Sequence, residues 1–204
     1  MKKILVTGFD PFGGETVNPA FEALRLLPET VAGLQLVKLE LPTVFGAAGE
    51  RLLAKIEAVQ PAAVLCVGQA GGRAAITPEK VAINYMDGRI PDNAGQQPQD
   101  EPIRPDAPDA YFTALPVRRM AERIRAAGIP AAVSYTAGTY VCNYLMYTLL
   151  DWAARNRPEL RGGFIHVPYA MEQLEGKPDG TPGMELQQIA RGLACAIEAI
   201  TEEL

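Results

Sequence analysis

Short apolar runs alternate along this chain with segments whose apolar residues recur every three or four positions. "KKILVTGF", "LQLVKLELP", "AAVLCVG" and "GGFIHVPY" are of the first kind. "NPAFEALRLLP", "FGAAGERLLAKIEAVQ", "LPVRRMAERIRAAGI" and "GMELQQIARGLACAIEAITEEL" are of the second. A strand such as "AAVLCVG", apolar on both faces, needs cover on both, and the intervening helices are the elements that can supply it. The alternation therefore predicts an α/β fold, a three-layer α/β/α sandwich with a mostly parallel, twisted central sheet, in one domain over residues 1–204.

Local signals place the element ends. Asn18 followed by Pro19 reads as an N-cap and first helical residue, and Pro61 closes the second helix. "AAVSYT" (131–136) reads as a further strand, and "EKVAINYM" as one that is antiparallel or at an edge. Residues 91–111, "PDNAGQQPQDEPIRPDAPDAY", are polar and carry five prolines, so no regular element is expected there. A segment of that length serves as a lid, a binding loop or a subunit contact, or is a surface excursion.

Composition removes whole classes of partner. A net charge of −5 offers no basic field to gather phosphates, which argues against nucleic acid and anionic membranes. No run approaches the roughly 18 apolar residues of a membrane span. The apolar part of "MKKILVTGFDPF" is too short for a signal-peptide core, so a cytoplasmic location is expected. The three cysteines are scattered and odd in number, which suggests reduced thiols, and with a single histidine they make no zinc pattern.

The cysteines differ in setting. Cys66 lies in the middle of an apolar strand and Cys195 inside the last helix, where each reads as packing. Cys142, in "TAGTYVCNYLMYTLLDW", falls where a glycine-containing turn becomes an apolar helix. If Thr139 or a neighbour caps that helix, Cys142 occupies the first turn, whose unpaired N–H groups and dipole favour a thiolate and could receive an oxyanion. His166 is the only histidine and lies near the end of "GGFIHV", within reach of the same rim of the sheet. A cysteine–histidine couple needs a third group to orient the imidazole. Glu79 is a candidate for it, and Asp87 and Asp92 are competitors.

Four segments, in order, resemble the pyroglutamyl-peptidase family of cysteine peptidases: "GFDPFGG", "GQAGGRAAITPEKVAIN", "VSYTAGTYVCN" and "FIHVPY". The likeness runs from about residue 3 into the last helix. It implies a cytosolic enzyme that removes N-terminal pyroglutamate from peptides through a thioester, with Cys142 as nucleophile, His166 as general base and acid, and Glu79 as orienting carboxylate. It also implies that Arg89 joins the helix-start N–H groups at Cys142 in holding the oxyanion. Phe9, Phe12 and Gln69 would form the substrate pocket with Ile90, Tyr140 and Val141, and Asn18 would brace the first loop. A homotetramer, and independence of metal and cofactor, are further implications.

The residue types suit that substrate. Pyroglutamate is a neutral lactam, so its pocket needs apolar walls and a few placed hydrogen bonds rather than a charge. An N-terminal glutamate would bring a carboxylate and an ammonium into that slot and be penalised for both. Two rival readings are weaker. "GFDPFGG" lacks the spacing and the lysine of a phosphate-binding loop, and a phosphorylase of similar fold would not depend on Cys142.

Overall fold

The computed structural model describes residues 1–204. In chain order its elements are β1 (Lys3–Phe9), α1 (Pro19–Leu26), β2 (Thr30–Val31), β3 (Leu34–Leu41), α2 (Ala47–Val59), β4 (Ala63–Gln69), β5 (Thr77–Glu79), β6 (Val81–Ile83), β7 (Ala110–Phe112), α3 (Val117–Ala126), α4 (Val141–Asn156), β8 (Arg161–Val167), β9 (Tyr169–Ala170), β10 (Gly183–Met184) and α5 (Leu186–Thr201). Six strands form the central sheet in the order β2-β3-β1-β4-β8-β5. The four middle strands are parallel, and short antiparallel strands β2 and β5 close the two edges.

Alternating side chains send each strand's apolar groups into two cores. Ile4, Val6, Leu65, Val67 and Ile165 pack beneath α1, α3 and α5, whereas Leu5, Cys66 and Phe164 pack beneath α2 and α4. The expected three layers are present. After β1 the chain moves to β3 on one side and then to β4 on the other, so the sheet's switch point lies at the carboxyl end of β1, from which "GFDPFGG" emerges. Asn18 caps α1 by accepting the Ala20 N–H, and its Nδ2 donates to the Asp10 carbonyl, which braces that loop as expected.

Two expectations change. Residues 131–136 are extended but form only isolated bridges, at Ala131 and Ser134. The amides of Ile76, Ala132, Ser134 and Lys80 all bond across this pairing. Pro78 sits in the middle without an N–H, and the ladder breaks there. "EKVAINYM" is divided: Glu79 ends the edge strand β5, while β6 turns away to pair with β7 in a separate two-stranded sheet.

The proline-rich segment is pinned to the body. Asp92 is buried and accepts the N–H groups of Phe45, Ala94 and Gln96. Asn93 Nδ2 donates to Asp10 and to the Pro11 carbonyl, Tyr140 Oη donates to the Pro91 carbonyl, and Tyr147 Oη to that of Pro108. No helix is long and apolar enough to cross a membrane.

Candidate active site

The site lies where β4, β8, β5 and the start of α4 meet. β8 pairs His166 with Gly68 of β4 on one side and with Thr77 of β5 on the other. Gly68 is the reason that a helix can come so close. A Cβ there would lie 2.8 Å from Cys142 Sγ and 2.7 Å from Phe164 Cζ, so the thiol sits directly over the strand beside His166. Glycine inside a strand marks such close approaches.

α4 begins with Tyr140 as its cap residue, without a side-chain cap bond, and its first backbone bond runs from the Tyr144 N–H to the Tyr140 carbonyl. The N–H groups of Val141, Cys142 and Asn143 therefore belong to the turn that a helix leaves unpaired. Thr139, expected as a capping candidate, instead donates its hydroxyl to the Asp87 carbonyl, while the Asp87 N–H donates back to the Thr139 carbonyl. Asn143 is buried and holds the helix start from the other side, accepting the Ile83 N–H and donating to the carbonyls of Ile83 and Tyr85.

Of the three carboxylates left open by spacing, Glu79 is the one at the imidazole. Its Oε1 lies 2.7 Å from His166 Nδ1, and both side chains are almost fully buried. Burial opposes its charge, but hydrogen bonds and charge from His166, with further help from the Arg73 guanidinium, hold Glu79 below the ordinary carboxylate value. An ionised carboxylate only accepts, so His166 Nδ1 carries the proton and donates, leaving Nε2 as the basic nitrogen. Burial lowers His166 below the usual imidazole value, against the pull of Glu79, so the resting ring is neutral. Asp92 is spent on backbone amides, and Asp87 is joined to the turn before α4 through its backbone.

The thiol departs from expectation. Burial pushes Cys142 up to about 12, Glu79 adds to the rise, and Arg73 opposes it. A lowered value was expected from the helix start, but here loss of water outweighs those dipoles. The resting couple is thus a neutral thiol beside a neutral imidazole.

Phe12 and Tyr140 face each other with ring centroids 6.2 Å apart. Ile90 reaches the same loop, its Cδ1 lying 3.6 Å from where Gly13 would carry a Cβ. Phe9 is buried and packs on Phe164, whose ring lies tilted against His166 with centroids 4.8 Å apart. Phe9 thus stands behind the imidazole. The side chains of two other pocket candidates are engaged elsewhere in the fold. Gln69 follows Gly68 in β4, so its side chain points to the opposite face, where its Oε1 accepts from Gln173. Val141 is fully buried in the α4 core. Gln69 therefore has backbone, rather than its side chain, to offer the thiol's face. Arg89 is exposed, and the charged side chains acting on the thiol are Glu79 and Arg73.

Comparison with known proteins supplies the family. A family model described as pyroglutamyl peptidase matches residues 2–203. The chain belongs to the pyroglutamyl peptidase family. It is 55% identical over 198 residues to the pyrrolidone-carboxylate peptidase of Levilactobacillus brevis, covering 97% of each chain. It is 54% identical over 200 residues to pyrrolidone-carboxylate peptidase 1 of Streptococcus pneumoniae, covering 98% of this chain and 93% of that one. Among solved structures, pyroglutamyl peptidase I of Bacillus amyloliquefaciens superposes with a TM-score of 0.95 at 48% identity, over 99% of this chain and 98% of that one. A variant pyrrolidone carboxyl peptidase of Pyrococcus furiosus gives 0.93 at 43% identity over 99% of both chains.

Sequence reasoning missed four contributors in this family member. Gly68 was legible as a lone glycine within a strand pattern, and Arg73 as the one cation in "GQAGGRAAITP". Phe45 meets Tyr140 edge-on at 5.4 Å and extends the aromatic wall, and Asn143 anchors the helix start. Neither of these carries a signal in local spacing, because each acts through a residue distant in sequence.

Proposed function

We propose that this chain is a cysteine peptidase that hydrolyses N-terminal pyroglutamate from peptides by way of a thioester. The observation that carries the reading is the placement of the Cys142 thiol over Gly68, beside a buried histidine whose Nδ1–H is held by Glu79. Family membership supplies the substrate class, and the chain's relatives are named for it.

In the proposed reaction, His166 Nε2 takes the thiol proton as Cys142 Sγ attacks the pyroglutamyl carbonyl. The oxyanion forms at the start of α4, where the unpaired N–H groups receive it, and Arg89 is the proposed cationic partner. His166 then gives the proton to the departing amine, which carries off the rest of the peptide. Next it takes a proton from water, which attacks the thioester and releases pyroglutamate. Glu79 fixes the ring and stabilises the imidazolium throughout. The lactam ring fits against Phe12, Tyr140, Phe45 and Ile90, with backbone groups near Gln69 and Val141 supplying hydrogen bonds. The chemistry requires no metal or cofactor. A single catalytic domain, a cytoplasmic setting and a homotetramer complete the proposal.

The test is release of aminocoumarin from its pyroglutamyl amide by reduced wild type and by Cys142→Ser, with glutamyl and prolyl amides alongside. Turnover confined to the pyroglutamyl amide and lost in the variant supports the reading. Equal turnover by both proteins moves the nucleophile elsewhere, and none by folded, reduced wild type ends the assignment.

A further inference from the structure

Arg73 has no role in the reaction as written, yet its guanidinium joins three parts of the site. Nη1 donates to Glu79 Oε1 and to Thr77 Oγ1, both at 2.6 Å, and Nη2 donates to the Thr136 carbonyl at 2.9 Å. Thr136 belongs to the turn that leads into α4, so one side chain holds the orienting carboxylate, its strand β5 and the approach to Cys142. The same Glu79 oxygen takes both the His166 Nδ1–H and the guanidinium, while Oε2 is buried without a partner. Glu79 is 0% exposed and Arg73 29%, which makes this the buried carboxylate's one full positive charge while His166 is neutral.

We propose that Arg73 is a positioning residue that locks Glu79 to the turn before the nucleophile and sets the charge state in which His166 and Cys142 wait. This rests on the peptidase reading for its consequence in turnover, but not for its geometry. The charged groups acting on His166 are Glu79 of β5 and Arg73 of the loop after β4, and Cys142 of α4 stands over Gly68, the residue paired with His166 across β4 and β8. Those facing the thiol are the same carboxylate and guanidinium, with Cys66 of β4. Against this set, Arg73 is the cation that disfavours imidazolium and favours thiolate. Without it, Glu79 would act on His166 undivided, shifting the ring toward imidazolium and reducing the neutral Nε2 available to the thiol.

The chain's single histidine permits a direct test. Imidazole-labelled protein is titrated by NMR as wild type, Arg73→Gln and Arg73→Lys, and the alkylation rate of Cys142 by iodoacetamide is followed against pH. In Arg73→Gln the His166 midpoint should rise by about one pH unit, and the alkylation midpoint should rise with it. Arg73→Lys keeps the charge and should leave both close to wild type, although its single ammonium replaces a fork. Unmoved midpoints in a folded Arg73→Gln overturn the proposal and make Arg73 scaffolding. Should the Gln variant not fold, Arg73→Met, which also removes the charge but keeps an apolar stem, takes its place on the same criteria: a rise of about one unit supports the proposal and unmoved midpoints overturn it. Neither readout uses a substrate, so failure of the peptidase assignment would leave this result standing.

Discussion

Cys66 and Cys142 pack on the same face of the sheet, and burial pushes both thiols up to about 12. Their surroundings then diverge. Cys66 is 0% exposed in the middle of β4, with the Thr7 hydroxyl as its polar neighbour. Cys142 keeps some exposure at a helix start, above the glycine that separates it from the strand and next to an imidazole held in one tautomer. A lowered thiol value is therefore not what distinguishes a nucleophile here. What sets Cys142 apart is a neighbouring base, some exposure and the unpaired N–H groups of a helix start.

The largest effect that this comparison predicts is on turnover. Cys142→Ser should lower kcat/KM for a pyroglutamyl amide by about 10⁴-fold or more, because a hydroxyl is far harder to deprotonate with the same neutral imidazole. Glu79→Gln should cost about 10³- to 10⁴-fold, since an amide can present its NH₂ to His166 and stabilise the wrong tautomer. Steady-state assays of folded, reduced protein check both. A Glu79→Gln enzyme with near-normal kcat would mean that something other than Glu79 orients the ring.

Gly68→Ala sharpens the comparison through space rather than chemistry. The new methyl would meet both Sγ of Cys142 and the Phe164 ring, and displacing a nucleophile by about 1 Å costs about 10²-fold. Turnover should fall by that order and alkylation of Cys142 should slow. Wild-type rates in both assays would show that the close approach is not needed.

Much of this was legible in the sequence because apolar periodicity is local. The runs around β1, β4 and β8 announced a covered parallel sheet, and Asn18-Pro19 announced the start of α1. Cys142, His166 and Glu79 were legible as candidates from motif and scarcity, since only one histidine was available, and the fold brings the three together. What stayed hidden depends on pairing across the fold. Pro78 interrupts the ladder of 131–136, which no reading of "AAVSYT" itself reveals. Gln69 turns its amide away because Gly68 occupies the inward register, and Asp92 is claimed by Phe45, far from it in sequence. The thiol's value was misjudged because first-turn dipoles are visible in a sequence and desolvation is not.

The pH dependence follows from the buried histidine. His166 is lowered from 6.5 by burial, so the acid limb of kcat/KM should lie below that value. The linkage to stability has the same sign. Below about pH 6.5 the unfolded chain binds a proton on this imidazole that the folded chain does not, so stability is lost as pH falls through that window. Glu79 is also lowered, so its stabilising contribution persists through this window and declines only at more acidic pH. Urea midpoints at about pH 7 and about pH 5.5 should differ, and His166→Gln should shrink the difference. A wild-type midpoint that does not change would mean that the ring is not held neutral by the fold.

The smallest effect belongs to Cys66. Cys66→Ala removes one sulfur from a packed core and should lower stability by about 1 kcal/mol, read from urea denaturation. Its turnover should stay within about twofold of wild type, because Cys66 touches no group in the proton path. Cys66 can raise its neighbour's value only when it carries charge, and with its own thiol near 12 it carries none at neutral pH. The acid limb of kcat/KM and the alkylation rate of Cys142 at neutral pH should therefore coincide with those of wild type. A changed alkylation rate at neutral pH in Cys66→Ala would break the contrast between the two thiols, because it would mean that Cys66 bears on the reacting one.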